Sequence, residues 1–211
     1  MQSRLILLGP PGGGKGTQAK LLAERFGLAH ISTGAVLRQA VEEKTELGRK
    51  VEKLLGRGEL VPDDMMFSII EEFLARDRVK NGFILDGYPR TIPQALDLEE
   101  NGIKIDRVLF INIPRDILVN RLLARRECPS CQTVFNSAEN AESADVVCPN
   151  CGETSVRRTD DFLETINKRL EIYFRRTYPL IDFYRERNLL VDVNGAQSPE
   201  QVFEDVSQAL N

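Results

Sequence analysis

Three groups of residues in this chain of 211 could do chemistry: a lysine in a glycine run, a scatter of arginines and two pairs of cysteines. The run Gly9-Pro10-Pro11-Gly12-Gly13-Gly14-Lys15-Gly16-Thr17 follows an apolar stretch, Leu5 to Leu8, and precedes a helical pattern. Strand, glycine loop and helix together form the setting in which backbone N–H groups cradle phosphates. Glycines let those N–H groups turn inward, and the helix N-terminus adds positive potential. Lys15 can reach the terminal phosphates as a point charge. Gly12, Gly13, Gly14, Lys15, Gly16 and Thr17 are therefore candidate ligands of a nucleotide phosphate, with the Thr17 hydroxyl on the magnesium side. The strict pattern places Ser or Thr directly after the lysine, whereas here Gly16 intervenes. A glycine turn that binds nothing is the bland alternative; the flanking strand and helix argue against it.

The arginines gather late in the chain. Arg121, Arg125 and Arg126 fall on one predicted helix, Arg115–Arg126, where Arg121 and Arg125 are four apart and share a face. Like charges on one face repel unless an anion sits between them. Arg157 and Arg158 precede Asp160 and Asp161, and Arg169 follows. Positive charge around one point suits phosphoryl transfer, which needs positioning and electrostatic stabilisation more than covalent help. A ladder of surface salt bridges, each worth little, is the competing reading.

Cys128-Pro129-Ser130-Cys131 and Cys148-Pro149-Asn150-Cys151 are separated by sixteen residues. Two-residue spacers let both thiolates of a knuckle face one ion, and four thiolates close a tetrahedron, so the expected metal is a structural zinc. Disulfides, an iron–sulfur cluster and a zinc ribbon for nucleic acid are the alternatives. The ribbon reading is weakened by the intervening segment, residues 137–145, which is acidic and lacks lysine and arginine.

Positioning these groups calls for a sheet. Apolar runs at Arg4–Leu8, Ala29–Ile31, Phe83–Asp86, Val108–Asn112 and Leu189–Val193 read as buried strands. Helical patterns at Gly14–Phe26, Asp63–Arg78, Arg115–Arg126, Asp161–Glu186 and Pro199–Leu210 separate them. The alternation predicts an α/β fold, a five-stranded parallel sheet covered on both faces. Pro179 should kink or split the long late helix. Two polar segments interrupt the rhythm and read as inserts. Hydrophobic residues make up 42% of the chain, enough for one sizeable core. The net charge of −4 offers no general attraction to nucleic acid or an anionic membrane. No run is long enough to span a bilayer or to serve as a signal-peptide core, so the cytoplasm is the expected compartment.

Further motifs carry a resemblance. Ile31-Ser32-Thr33-Gly34 is followed by Leu37-Arg38, then Gly58-Glu59-Leu60-Val61-Pro62, then Asp86-Gly87-Tyr88-Pro89-Arg90 with Gln94 beyond. In order and spacing, over nearly the whole chain, these segments resemble the adenylate kinase family, some bacterial-type members of which carry a zinc-bearing lid. The resemblance implies a three-layer P-loop fold with a core of residues 1–32, 62–126 and 159–211, an AMP-binding insert at 33–61 and a zinc lid at 127–158. It implies the reaction ATP + AMP to 2 ADP, with Mg²⁺ and a structural Zn²⁺. Lys15, Arg90, Arg121, Arg125, Arg158 and Arg169 would be catalytic, and Arg121, Arg125 and Gln197 would join the loop in holding ATP. Thr33, Arg38, Leu60, Val61, Gly87, Arg90, Gln94, Arg158 and Arg169 would hold AMP, with Gln94 reading the adenine edge. Asp86 would share the magnesium waters with Thr17. Asp160 and Asp161 would pair with the arginines. Many members carry Asp where this chain has Ala35, which removes a carboxylate expected near the metal. The implied partners are ATP, AMP and ADP, with no nucleic acid and no membrane, in a monomer. A kinase for UMP or CMP, a GTP-dependent AMP kinase, and a nucleotide-dependent switch are the rival readings.

Overall fold

The computed structural model describes residues 3–76, 79–137 and 146–210. The chain begins β1 (Ser3–Leu8), α1 (Lys15–Phe26), β2 (Ala29–Ser32), α2 (Thr33–Glu42), α3 (Glu46–Gly56) and α4 (Asp63–Leu74). It continues β3 (Gly82–Asp86), α5 (Ile92–Glu100), β4 (Arg107–Asn112) and α6 (Arg115–Leu123). Four short strands follow: β5 (Arg125–Glu127), β6 (Val134–Asn136), β7 (Val146–Val147) and β8 (Thr154–Ser155). Last come α7 (Leu163–Ile172), a π-helical turn (Tyr173–Thr177), α8 (Leu180–Glu186), β9 (Leu190–Asn194) and α9 (Pro199–Leu210).

The expected five-stranded sheet is present, in the order β2-β3-β1-β4-β9, with every neighbouring pair parallel. Its runs of consecutive apolar residues are explained by two-sided burial. Ile6, Leu8, Phe83, Leu85, Val108 and Phe110 join one core, with α2 through α5 and α8 packed on it. Leu5, Leu7, Ile84, Leu109 and Val193 join the other, covered by α1 and α9. A smaller cluster of Ile111, Ile113, Leu118, Leu122, Ile166 and Leu170 ties α6 and α7 to the end of β4.

Two expected helices end differently. α6 stops at Leu123, so Arg125 and Arg126 lie on β5 and not on a helix face with Arg121. Pairing of β5 with β6, Arg125 opposite Asn136, takes up the backbone that a helix would have used. Tertiary pairing here overrides a local helical preference. The late helix is broken as expected near Pro179, which caps α8. The break is taken up by the π turn, where Tyr178 N donates to Tyr173 O at 2.9 Å. α5 lies outside the helical patterns read from the sequence. Its start is set by Thr91, whose hydroxyl accepts from Gln94 N at 3.3 Å, and by a proline in its first turn.

The segment from β5 to β8 is built unlike the sheet. Two hairpins, β5–β6 and β7–β8, are joined by a bridge between Glu127 and Val156. Among its described residues, the buried apolar side chains besides cysteine reduce to Val146. Burying one valine is worth about 2 kcal/mol, far less than the entropy of ordering such a segment, about 1 kcal/mol or more per residue.

Candidate functional site

Parallel strands deliver their C-terminal ends to one edge, where open α/β sheets hold ligands. The register fixes which residues meet there. Leu7 and Ser32 both stand opposite Asp86. The glycine loop after β1, the Asp86-Gly87 turn after β3 and Thr33 at the start of α2 therefore converge.

The loop turns back on itself, Gly13 N donating to Pro10 O at 3.0 Å. Gly12 and Gly14 adopt φ of 78° and 82°, left-handed values that disfavour any side chain. Lys15 opens α1 and donates to Gly9 O and Pro10 O, each at 2.8 Å. Burial brings its pKa down to about 8, partly offset by Asp86. Asp86 faces the loop, since a methyl on Gly16 would lie 3.5 Å from its Oδ2. The same oxygen is 3.4 Å from His30 Nε2. Burial alone would raise the Asp86 pKa, but His30, Lys15 and Arg90 hold it below the usual carboxylate value. Thr17 is exposed on the first turn of α1.

A cavity of about 140 Å³ opens beside the loop. Among the predicted residues, Lys15, Thr33, Arg38, Leu60, Val61, Gly87, Arg90, Gln94 and Arg169 all line it. Its charged wall holds Lys15, Arg38, Arg90 and Arg169 against Glu59 and Asp160, an excess of positive charge. Burial is the leading cause of a lowered pKa in each of the four cations, with Arg38 at about 10. Such a wall favours an anion. Gly87 is the close-approach point: its φ is 85°, and a Cβ there would lie 2.8 Å from Thr33 Oγ1 and 2.9 Å from Arg90 Nη2. Thr33 donates to Gly87 O at 3.0 Å, and Arg90 Nε donates to the same carbonyl at 2.7 Å.

The other predicted arginines, Arg121, Arg125 and Arg158, do not line the cavity. Asp161, fully buried, accepts from Arg125 Nε at 2.7 Å and Nη2 at 2.6 Å, and from Arg169 Nη1 at 2.9 Å. Arg169 also pairs with Asp160 Oδ2 at 3.0 Å. Burial would raise the Asp160 pKa, but the arginines, Arg169 first, pull it down. Arg158 pairs with Glu127. Both lie close enough to act on the charge of Arg38, across from the knuckle segment. Arg121 and Gln197 each bond at or beside the turn after β9. Arg121 Nη1 donates to Gly195 O at 3.1 Å, and Gln197 Nε2 donates to Asp205 Oδ2 at 2.7 Å.

Residues that sequence reasoning passed over also line the cavity: Leu37, Met66, Ile172, Tyr173 and Thr177. Met66 packs in the main core and faces the cavity as well. The π turn carries Tyr173 and Thr177 to the wall, and Thr177 Oγ1 donates to Arg90 O at 2.8 Å. The Tyr173 hydroxyl is buried with no hydrogen-bond partner among the described residues. No pattern in the sequence marks a π turn in advance.

The four cysteines form a separate cluster. Their sulfurs lie within 4.8 Å of one another, with Cys128 to Cys151 at 3.5 Å and Cys131 to Cys148 at 3.6 Å. Zinc–thiolate bonds of about 2.3 Å give a tetrahedron with edges of about 3.8 Å, so the donor set fits zinc. Each knuckle closes alike, Gln132 N donating to Cys128 O at 2.9 Å and Gly152 N to Cys148 O at 3.0 Å. Residues 138–145 of the expected lid lie outside the described part. No helix among the described residues is long and apolar enough to cross a membrane.

Comparison with known proteins gives one consistent result. The family model described as adenylate kinase matches residues 7–189. An adenylate kinase of Thermoanaerobacter sp. (strain X514) is 44% identical over 211 residues, covering 98% of this chain and 97% of the relative. One of Finegoldia magna is 47% identical, covering 94% of each chain, and one of Clostridium novyi is 43% identical, covering 98% of each.

Proposed function

The chain belongs to the adenylate kinase family and catalyses ATP + AMP to 2 ADP, and from that premise we propose how its residues divide the work. Mg²⁺ accompanies ATP, and the four-cysteine cluster fits a structural zinc.

The glycine loop, Gly12 to Thr17, holds the donor phosphates, with Lys15 as the point charge and Arg121, Arg125 and Gln197 on the same nucleotide. Thr33, Arg38, Leu60, Val61, Gly87, Arg90 and Gln94 hold AMP. Arg158 and Arg169, with Arg125, stand at the junction. The AMP phosphate is itself the nucleophile, so no general base is needed. Catalysis then reduces to in-line positioning and to positive charge on the transferring oxygens. Bound magnesium would neutralise charge on the donor phosphates; Asp86, which faces the loop, would hold the ion's water shell together with the Thr17 hydroxyl from the first turn of α1. Ala35 contributes no carboxylate there.

Residues 33–61 act as the AMP-side insert and 127–158 as the lid on the core of 1–32, 62–126 and 159–211. Excluding water keeps the donor from hydrolysis. Zinc supplies the folding energy that Val146 cannot, on the order of 10 kcal/mol in isolated finger peptides. We take the enzyme to act as a cytoplasmic monomer on free nucleotides.

One observation carries the reading: four half-buried cations share a cavity with two carboxylates, beside a glycine loop. The test is Arg90→Ala. It should raise the KM for AMP by about 10²-fold and leave that for ATP within about threefold. Equal effects on both nucleotides would undo the two-site assignment.

A further inference from the structure

Asp63 opens α4, and its carboxylate lies behind the cavity wall. Oδ1 accepts from Gln94 Nε2 at 2.7 Å, and Oδ2 accepts from Thr91 Oγ1 at 3.2 Å. On its other side Gln94 Oε1 accepts from Arg90 N at 2.7 Å. Gln94 is only 2% exposed, and it lines the cavity.

A primary amide has two ends of nearly equal shape, so a lone glutamine can turn over to suit either of two ligands. Here it cannot. A carboxylate only accepts, and a backbone N–H only donates. Turning the amide would set its carbonyl against Asp63 and its NH₂ against the Arg90 N–H. Two buried hydrogen bonds would become two repulsions. The polarity of Gln94 is therefore set by its neighbours.

After these two bonds the amide keeps one N–H and one lone pair. In that fixed order it matches a base edge that presents an amino donor beside a ring-nitrogen acceptor, as a 6-aminopurine does. A 6-oxopurine presents the reverse, a carbonyl beside a ring N–H. A site that leaves its buried polar groups unpaired rejects such an analogue strongly. We propose that Asp63 is a positioning residue for acceptor specificity: it locks the Gln94 amide so that the site takes 6-amino and rejects 6-oxo purine monophosphates. This rests on the reading of the cavity as the AMP site. The bland role of Asp63, an acidic residue in a helix first turn, is duplicated by Asp64 next to it.

The experiment measures kcat/KM for AMP and for inosine monophosphate (IMP), with ATP as donor, in the wild type, Asp63→Asn, Gln94→Ala and the double variant. Asparagine at 63 can donate or accept, so only the Arg90 N–H still opposes a turned amide, and one of the two constraints on its polarity is gone. The AMP:IMP preference of Asp63→Asn should fall about tenfold or more, chiefly through the KM values of the monophosphates, with the KM for ATP unchanged. In the Gln94→Ala background the same substitution should leave the preference where it is. An unchanged preference, a loss shared equally by AMP and IMP, or a further shift in the Gln94→Ala background would each overturn the proposal. Should Asp63→Asn not fold, Asp63→Ser also offers both a donor and an acceptor and carries the same expectations. A wild-type protein that makes no ADP from ATP and AMP would instead overturn the AMP-site reading, and the lock with it.

Discussion

The lysine loop and the arginine cluster both present positive charge, yet they are held in place by different means. Lys15 is tied to Gly9 O and Pro10 O, six and five residues away along the chain. The loop's shape comes from backbone turns. The arginines depend on partners far off in sequence: Arg125 on Asp161, Arg158 on Glu127, and Arg90 through its carbonyl on Thr177. A locally built charge can be removed without disturbing its surroundings. A charge held by a buried network cannot, because every lost partner leaves another group unpaired.

The largest effect should separate the two at once. Lys15→Ala is expected to lower kcat/KM about 10³-fold, while the free energy of unfolding moves by no more than about 1 kcal/mol. Urea unfolding alongside steady-state kinetics would measure both. A large loss of stability would mean that the lysine braces the loop and would erase the distinction. Asp161→Asn should behave in the opposite way. The asparagine NH₂ would face guanidinium N–H groups where the carboxylate accepted three bonds. Breaking a buried ion network of this kind costs about 3–5 kcal/mol, and kcat should fall about 10²-fold as Arg125 and Arg169 lose their aim. If the rate falls and stability holds, Asp161 does not organise the cluster.

The same contrast decides what could be read from the sequence. Contiguous signals translated directly: the glycine loop, the paired cysteines and the two-sided strands each declare themselves within a few residues. The break at Pro179 was legible too, because proline acts on its own helix. The α6 boundary was not. Helical spacing put Arg121 and Arg125 on one face, but β5 pairs with β6 across the first cysteine knuckle, and that pairing ends the helix at Leu123. Asp63 and Thr177 were silent for a related reason. They lie 31 and 87 residues from the groups they hold, and neither sits in a motif of its own. Gln94 was legible as a cavity residue from its motif, but the polarity of its amide depends on residues that only the fold brings to it.

The smallest effect tests the loop through protons. Burial lowers the Lys15 pKa from 10.5 to about 8, against the pull of Asp86 and with the help of Arg90, Arg169 and Arg125. Because the folded value lies below the unfolded one, the folded state gives up its proton first. Stability from this group therefore rises as pH climbs from about 8 towards 10.5. Donor capture should move the other way, since only the charged lysine attracts phosphate. The kcat/KM for ATP, which reports the free enzyme, should fall about tenfold between pH 7 and pH 9. Bound phosphates favour the protonated form, so kcat should stay nearly level over the same range. The residual activity of Lys15→Ala should lose the pH dependence of kcat/KM. If that variant keeps the wild-type profile, Lys15 is not the titrating group and its charge does not govern donor capture in this pH range.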